Sequence, residues 1–134
     1  MEEAASQPRQ DRQEIRDLQL AYGTAFDTRD AEAFADLYSD DAVLIHHSGK
    51  EIRTRDKFVK AVRNMPPAGR GKHQVLDTDL EIEGDLAQAT TRFAALSSAG
   101  ESVTGYYEDQ YRRTEAGWKI TRRAVFLDLQ GPQS

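Results

Sequence analysis

Four long segments of strand-like composition fill the second half of the chain, and they constrain the fold more than any other feature. They cover residues 73–83, 86–98, 102–114 and 118–129. A short break that contains a glycine separates each segment from the next, at residues 83–85, 99–101 and 115–117. Long runs joined by such breaks are typical of antiparallel hairpins. The sequence therefore predicts a four-stranded meander that starts at His73.

The N-terminal part of the chain has helical spacing instead. Apolar side chains recur three or four positions apart, at Ile15, Leu18, Tyr22 and Phe26. This spacing places them on one face of a helix, which we predict from about Asp11 to Thr28.

Shorter elements are predicted between this helix and the meander. Asp30 is placed to cap a second helix with Tyr38 on its buried face, and Thr54 is placed to cap a third. A short strand over residues 42–47 separates these two helices, and residues 66–72, which contain two prolines and two glycines, form a loop. Helices followed by an antiparallel meander define an α+β architecture.

Length and composition narrow the class of protein. With 134 residues, the chain is predicted to form one domain over residues 11–130 after a flexible tail over residues 1–10. A net charge of −5 argues against a nucleic-acid partner. The absence of cysteine excludes disulfides and thiolate metal sites. No apolar run is long enough to span a membrane, and the polar N-terminus does not look like a secretory signal, so we expect a cytoplasmic protein.

The histidines are the candidate bases for catalysis. The chain contains three, and two of them, His46 and His47, are adjacent. Adjacent strand residues point to opposite faces, so these two are not expected to ligate one metal ion, and we expect no metal site. His46 is predicted to face a central cavity. His73 opens the meander, and a carboxylate such as Asp27 that binds one of its ring nitrogens leaves the other nitrogen as a base.

Other polar and aromatic residues are candidate ligand contacts. Tyr107 and Asp109 lie two residues apart on one predicted strand, so they share a face and are predicted to line the pocket, whereas Tyr106 faces away. Phe26, on the apolar face of the first helix, is predicted to contact the substrate as well.

Two segments resemble the SnoaL-like branch of the NTF2-like superfamily. They are IRDLQLAYGTAFDTRDAEAFADLYSDDAVL, residues 15–44, and YYEDQYRRTEAGWKITRRAVF, residues 106–126. The resemblance covers roughly residues 12–129. It implies an NTF2-like cone, in which a curved antiparallel sheet wraps around three N-terminal helices and leaves a central pocket.

The resemblance also implies roles for four residues. Scytalone dehydratase, bile-acid 7α-dehydratase and hexachlorocyclohexane dehydrochlorinase share an Asp at the end of the first helix and a His at the start of the strand after the third helix. Asp27 and His73 match these positions. The bile-acid enzyme adds a Tyr five residues before the Asp and an Arg on the last strand, which Tyr22 and Arg123 match. By this resemblance His73 is the base, Asp27 orients it, and Tyr22 and Arg123 donate hydrogen bonds to the substrate.

The function predicted from the sequence is a cofactor-independent lyase. It is expected to be of the dehydratase type and to act on a small, mostly apolar, ring-containing hydroxylated molecule. Two alternatives stay open: an isomerase or cyclase related to ketosteroid isomerase, with Asp27 as the base, and a non-catalytic module that binds a small ligand. The resemblance also implies a homodimer or homotrimer.

Overall fold

Three helices precede or interrupt the first strands, and the long strands follow them, as the α+β prediction requires. The computed structural model describes residues 2–64, 71–97 and 100–128. Within these ranges the helices are α1 (Glu2–Thr28), α2 (Ala31–Asp36) and α3 (Arg55–Arg63). The strands are β1 (Tyr38–Ile45), β2 (Glu51–Arg53), β3 (Gly71–Glu83), β4 (Leu86–Ser97), β5 (Ser102–Thr114) and β6 (Gly117–Leu127).

The strands form a single curved, open sheet in the order β2-β1-β6-β5-β4-β3. Strands β3 to β6 pair in sequence as antiparallel neighbours, so the predicted meander is confirmed. Strand β1 joins the sheet beside β6 and runs parallel to it, while β2 pairs antiparallel with β1. The helices pack against the inner face of this sheet, and together they form the predicted α+β cone.

The predicted caps of the two short helices are confirmed. The Ala33 amide donates to Asp30 Oδ1 over 3.1 Å, and the Lys57 amide donates to Thr54 Oγ1 over 3.4 Å. Helix α1 ends at Thr28 as predicted, but it begins at Glu2 instead of near Asp11. The apolar spacing used for the prediction begins only at Ile15, so it carried no information about the preceding polar turns. The predicted loop over residues 66–72 lies mostly outside the described residues.

The prediction for the end of the second helix is wrong. Tyr38 does not lie on its buried face, because α2 ends at Asp36 and Tyr38 is the first residue of β1. Tyr38 pairs with Ile120 of β6, whose amide donates to the Leu37 carbonyl oxygen over 2.9 Å. A contact with the last strand therefore ends this helix, and helical spacing within the segment does not report it.

Two β-bulges determine which side chains face the interior of the cone. In β3 the register with β4 shifts between Val75 and Asp77, and in β6 the register with β5 shifts between Ile120 and Arg122. Because a bulge inserts one residue, it reverses the inward and outward alternation on one side of it. As a result His73 in β3 and Arg123 in β6 both belong to the inner face.

Asp11, in the N-terminal half of α1, is held to the β5–β6 hairpin by an ion pair with Arg113. Asp11 is 3% exposed and accepts from both Nη atoms of Arg113, at 2.7 and 2.8 Å, and from Trp118 Nε1 at 3.2 Å. The hydrogen bond from Arg113 is the main reason why the pKa of Asp11 falls from 3.8 to about 2. No helix among the described residues is long and apolar enough to cross a membrane.

This pair predicts a pH-dependent contribution to stability. Since the pKa of Asp11 is lower in the folded protein than in the unfolded chain, its stabilisation is present above pH 4 and is lost as the pH falls towards 2. We expect Asp11→Asn to lower the free energy of unfolding by about 2 kcal/mol at pH 7 and to flatten its decline below pH 4. Urea unfolding followed by circular dichroism from pH 2 to 7 measures both effects. Asp17→Asn is the control, because that carboxylate is exposed and, among the described residues, accepts a hydrogen bond from Gln13 alone. Equal pH profiles for the two variants would contradict the prediction.

Candidate active site

Asp27 and His73 form a doubly bonded pair between α1 and β3. His73 Nδ1 lies 2.7 Å from Asp27 Oδ1, and the backbone amide of His73 donates to Asp27 Oδ2 over 2.8 Å. Both side chains are 20% exposed, so the pair is mostly shielded from solvent yet still accessible. The carboxylate thereby holds both the ring and the backbone of the histidine.

Close packing of α1 on β3 brings the two residues together. Asp27 lies in the last turn of α1, one turn after Gly23. A Cβ atom added to Gly23 would lie 3.2 Å from His73 Cβ, which is tighter than ordinary van der Waals contact. The missing side chain at this position therefore allows the helix to approach the strand closely enough for the Asp27 contacts. On the other side, the Phe26 ring lies 5.0 Å from the His73 ring, centroid to centroid.

The pairing decides the protonation pattern of the imidazole. An ionised carboxylate only accepts hydrogen bonds, so the hydrogen of neutral His73 lies on Nδ1, facing Asp27. Nε2 then carries a lone pair, and none of the described residues binds this nitrogen. The geometry is that of a general base with an orienting carboxylate.

A cavity of about 210 Å³ opens beside the pair. Its lining includes the polar pair, three aromatic rings and a buried amide: Gln19, Tyr22, Asp27, His73, Phe93 and Tyr107. Phe93 and Tyr107 stack at 4.4 Å and form an aromatic wall. The volume is below the roughly 300–1,000 Å³ of pockets for drug-sized ligands, so the cavity suits a molecule of one or two small rings.

A second buried pair lies behind the aromatic wall. Arg123 donates to Asp109 from Nε over 2.8 Å and from Nη2 over 2.6 Å, and neither side chain is exposed. Burial opposes the charge on the guanidinium, but the Asp109 carboxylate outweighs burial and keeps the pKa of Arg123 well above its ordinary value. The pair is therefore a charged, fully desolvated element of the core.

Two tyrosine rings enclose this guanidinium. Its central carbon lies 4.3 Å from the Tyr22 ring centroid and 4.1 Å from that of Tyr107. Burial raises the pKa of Tyr22, and the charge of Arg123 partly offsets that effect. Both tyrosines line the cavity, whereas Arg123 and Asp109 do not. The structure therefore corrects two predictions: Asp109 does not line this cavity, and Arg123 reaches it only through the tyrosines stacked on it.

The prediction for His46 is wrong as well. Strand β1 ends at Ile45, and His46 lies in the following turn with an exposed side chain. Its Nδ1 lies 2.8 Å from Ser48 Oγ, and its backbone pairs with Lys50. The prediction assumed that the strand continues through His46. The turn ends the strand at Ile45, so the alternation of side chains does not extend to this ring. Within the described ranges, no three His, Asp or Glu side chains are placed to hold a metal ion.

The structure adds a buried polar pocket residue, Gln19, that the sequence analysis did not single out. Its Nε2 lies 3.0 Å from Thr91 Oγ1, 3.3 Å from Tyr111 Oη and 3.4 Å from Thr78 Oγ1. The signal in the sequence was its position four residues after Ile15 and three before Tyr22, on the inner face of α1. A glutamine there interrupts an apolar stripe, which indicates either a buried polar network or a ligand contact.

The fold and this internal cavity define the class of NTF2-like proteins. An NTF2-like protein with a cystatin-like fold from Novosphingobium aromaticivorans superposes with a TM-score of 0.84 at 27% identity, over 96% of this chain and 88% of that one. A candidate scytalone dehydratase from the same organism gives a TM-score of 0.78 at 17% identity, over 87% and 83%. A hexachlorocyclohexane dehydrochlorinase, LinA type 2, gives 0.76 at 17% identity, over 88% and 85%.

Within that class, the chain belongs to the SnoaL-like family. The SnoaL-like domain matches residues 7–124, which include most of α1, every element from α2 to β5 and most of β6. No curated protein sequence matches the chain.

Proposed function

We propose that the protein is a lyase of the dehydratase type that acts on a small ring-containing hydroxy ketone. The observation that carries this proposal is the 2.7 Å contact between His73 Nδ1 and Asp27 Oδ1, beside a cavity and with no described residue bound to Nε2. A base in this arrangement removes a proton from carbon, and the partly shielded Asp27 carboxylate stabilises the imidazolium that forms.

The reaction proceeds by elimination across two carbons. His73 Nε2 takes the proton from the carbon next to the carbonyl, and the electron pair moves into the carbonyl to form an enolate. The enolate collapses to a carbon–carbon double bond as the hydroxyl on the neighbouring carbon leaves. The imidazolium returns its proton to that hydroxyl, so the products are the unsaturated ketone and one water. No cofactor enters this scheme.

The tyrosines supply the stabilisation of the enolate. Tyr22 and Tyr107 line the cavity, and the Arg123 guanidinium stacks on both rings. Their hydroxyls are the donors for the carbonyl oxygen, and a cation beside them favours the negative charge that develops there. Arg123 acts in this scheme as a positioning residue, because the rings separate it from the cavity.

The comparisons support elimination chemistry without defining the substrate. Two proteins that share the fold are named after elimination reactions. They are a candidate scytalone dehydratase and a hexachlorocyclohexane dehydrochlorinase. The cavity of about 210 Å³ favours a substrate smaller than a steroid.

Product analysis tests the proposal. We expect the protein, incubated with a panel of one- and two-ring β-hydroxy ketones, to release products lighter by one water, detected by mass spectrometry. His73→Phe keeps an aromatic ring but has no base, so its turnover is expected to fall to background. Products of unchanged mass would indicate an isomerase instead. Equal rates for the wild type and His73→Phe would refute the assignment of the base.

A homodimer or homotrimer and a cytoplasmic location stay predictions from the sequence.

A further inference from the structure

Gln19 is a buried amide with two different ends. The residue is 3% exposed, lies on the inner face of α1 and lines the cavity beside His73. Its Nε2 end faces three hydroxyl oxygens of the sheet, those of Thr78, Thr91 and Tyr111. An amide can be turned by half a rotation at little steric cost, so its neighbours must determine which end faces the sheet.

The buried ion pair between Arg123 and Asp109 determines which end of the Gln19 amide faces the sheet. Asp109 accepts from Arg123 and lies 2.6 Å from Tyr111 Oη. Because a carboxylate only accepts, the Tyr111 hydroxyl hydrogen is directed to Asp109. Tyr111 then offers only lone pairs to Gln19 at 3.3 Å, and the amide must present its N–H groups there. Asp109 thus determines the orientation of Gln19 indirectly, through the hydroxyl group of Tyr111.

The carbonyl end of Gln19 is left for the cavity. None of the described residues donates to Gln19 Oε1. This oxygen is also not one of the enclosed, unpaired polar atoms of the core, such as Tyr38 Oη. An acceptor that is unpaired and not enclosed, on a residue that lines the cavity, faces the space that a ligand occupies.

We propose that Gln19 Oε1 accepts a hydrogen bond from a hydroxyl group on the ligand, and that the cavity thereby selects hydroxylated rings over their methyl ethers. The inference rests on the proposed function only in taking this cavity as the ligand site. It adds a substrate feature that the base does not require, a hydroxyl group on the ring that donates a hydrogen bond to Gln19. A site built to pair with a hydroxyl discriminates strongly against an analogue without the donor, since its acceptor is then buried unpaired.

Two matched ligands test the selection. Naphthol and its methyl ether have the same rings, but only naphthol donates a hydrogen bond. Titration calorimetry on the wild type is expected to give a dissociation constant about tenfold lower for naphthol. In Gln19→Met, which keeps the side-chain length without an acceptor oxygen, the ratio is expected to fall to about one. Leu20→Ala, a change at a neighbouring cavity residue, should weaken both ligands alike.

A second comparison separates Gln19 from the base. His73 Nε2 also accepts hydrogen bonds, so the same titrations are made with His73→Phe. If Gln19 selects the hydroxyl, His73→Phe still prefers naphthol over its methyl ether. If His73→Phe loses this preference and Gln19→Met keeps it, the inference is overturned. Equal affinities of the wild type for both ligands overturn it too. Because these ratios need no turnover, an absence of dehydration does not affect them.

A further variant applies if Gln19→Met does not fold. Thr91→Val removes one acceptor of Gln19 Nε2 and leaves Oε1 in place, so the amide is held less firmly. The preference for naphthol is expected to fall about two- to threefold, since each hydrogen bond contributes modestly. An unchanged preference in Thr91→Val would contradict the orientation of Gln19 by the sheet.

Discussion

Asp27→Asn is expected to lower kcat for the proposed dehydration by about 10²–10⁴-fold and to leave KM nearly unchanged. The substitution keeps the size and shape of the side chain. It changes the partner of His73 Nδ1 from an atom that only accepts to an amide that also donates. The effect should therefore appear in the chemical step and not in binding.

The physical reason is the tautomer of His73. In the native pair, the carboxylate accepts from Nδ1 at 2.7 Å and from the backbone amide at 2.8 Å. Asparagine satisfies the backbone amide with its single oxygen, and its NH₂ group then faces Nδ1. This arrangement favours the tautomer with the hydrogen on Nε2, which cannot act as a base. The variant also lacks the negative charge that stabilises the imidazolium electrostatically.

Steady-state kinetics on a substrate found in the product screen measure this effect. Asp30→Asn is the matched control, because asparagine caps a helix as well as aspartate does, and Asp30 caps α2 three residues away. We expect that control to retain wild-type kcat. A fall of less than tenfold in Asp27→Asn would mean that the carboxylate does not orient the base.

Arg123→Met is expected to lower the free energy of unfolding by about 3–5 kcal/mol. Both members of the pair are fully enclosed, and Arg123 forms two short hydrogen bonds to Asp109. The variant leaves the Asp109 carboxylate buried without its counterion, and a buried unpaired charge is strongly destabilising. The contacts of the guanidinium with the Tyr22 and Tyr107 rings are lost as well.

A double variant separates the charge from the packing. In Arg123→Met combined with Asp109→Leu neither charge of this pair is left buried, so most of the lost stability is expected to return. Urea unfolding measures each free energy. Arg92→Met is the surface control: Arg92 pairs with Asp128 at 3.1 Å, but both side chains are well exposed, and we expect at most about 1 kcal/mol. An Arg123→Met effect no larger than that of Arg92→Met would contradict the prediction.

Local patterns in the sequence determined the elements. The glycine-containing breaks placed the turns of the meander, and the caps at Asp30 and Thr54 placed the starts of α2 and α3. These features depend on residues within a few positions of one another, through backbone freedom and hydrogen bonds that form inside one segment. The position of Asp27 at the end of α1 followed from the same kind of pattern.

Tertiary structure decided which side chains reach the cavity. Simple alternation from Ile120 would have turned Arg122 inward, but the bulge before it places Arg123 there. The bulge in β3 does the same for His73. Pairing with β6 ends α2 before Tyr38, and the turn after β1 leaves His46 outside. Bulges and strand ends arise from pairing between distant segments, and a one-residue shift reverses a face.

The sequence by itself therefore determined the α+β order, the family and the two residues of the candidate dyad. It did not determine that Arg123 lies behind two tyrosines or that Gln19 turns its amide nitrogen to the sheet. Both facts depend on hydrogen bonds between residues far apart in the chain, such as Gln19 with Tyr111 and Arg123 with Asp109. The direction of a buried hydrogen-bond network depends on every partner at once, and only the folded chain brings those partners together.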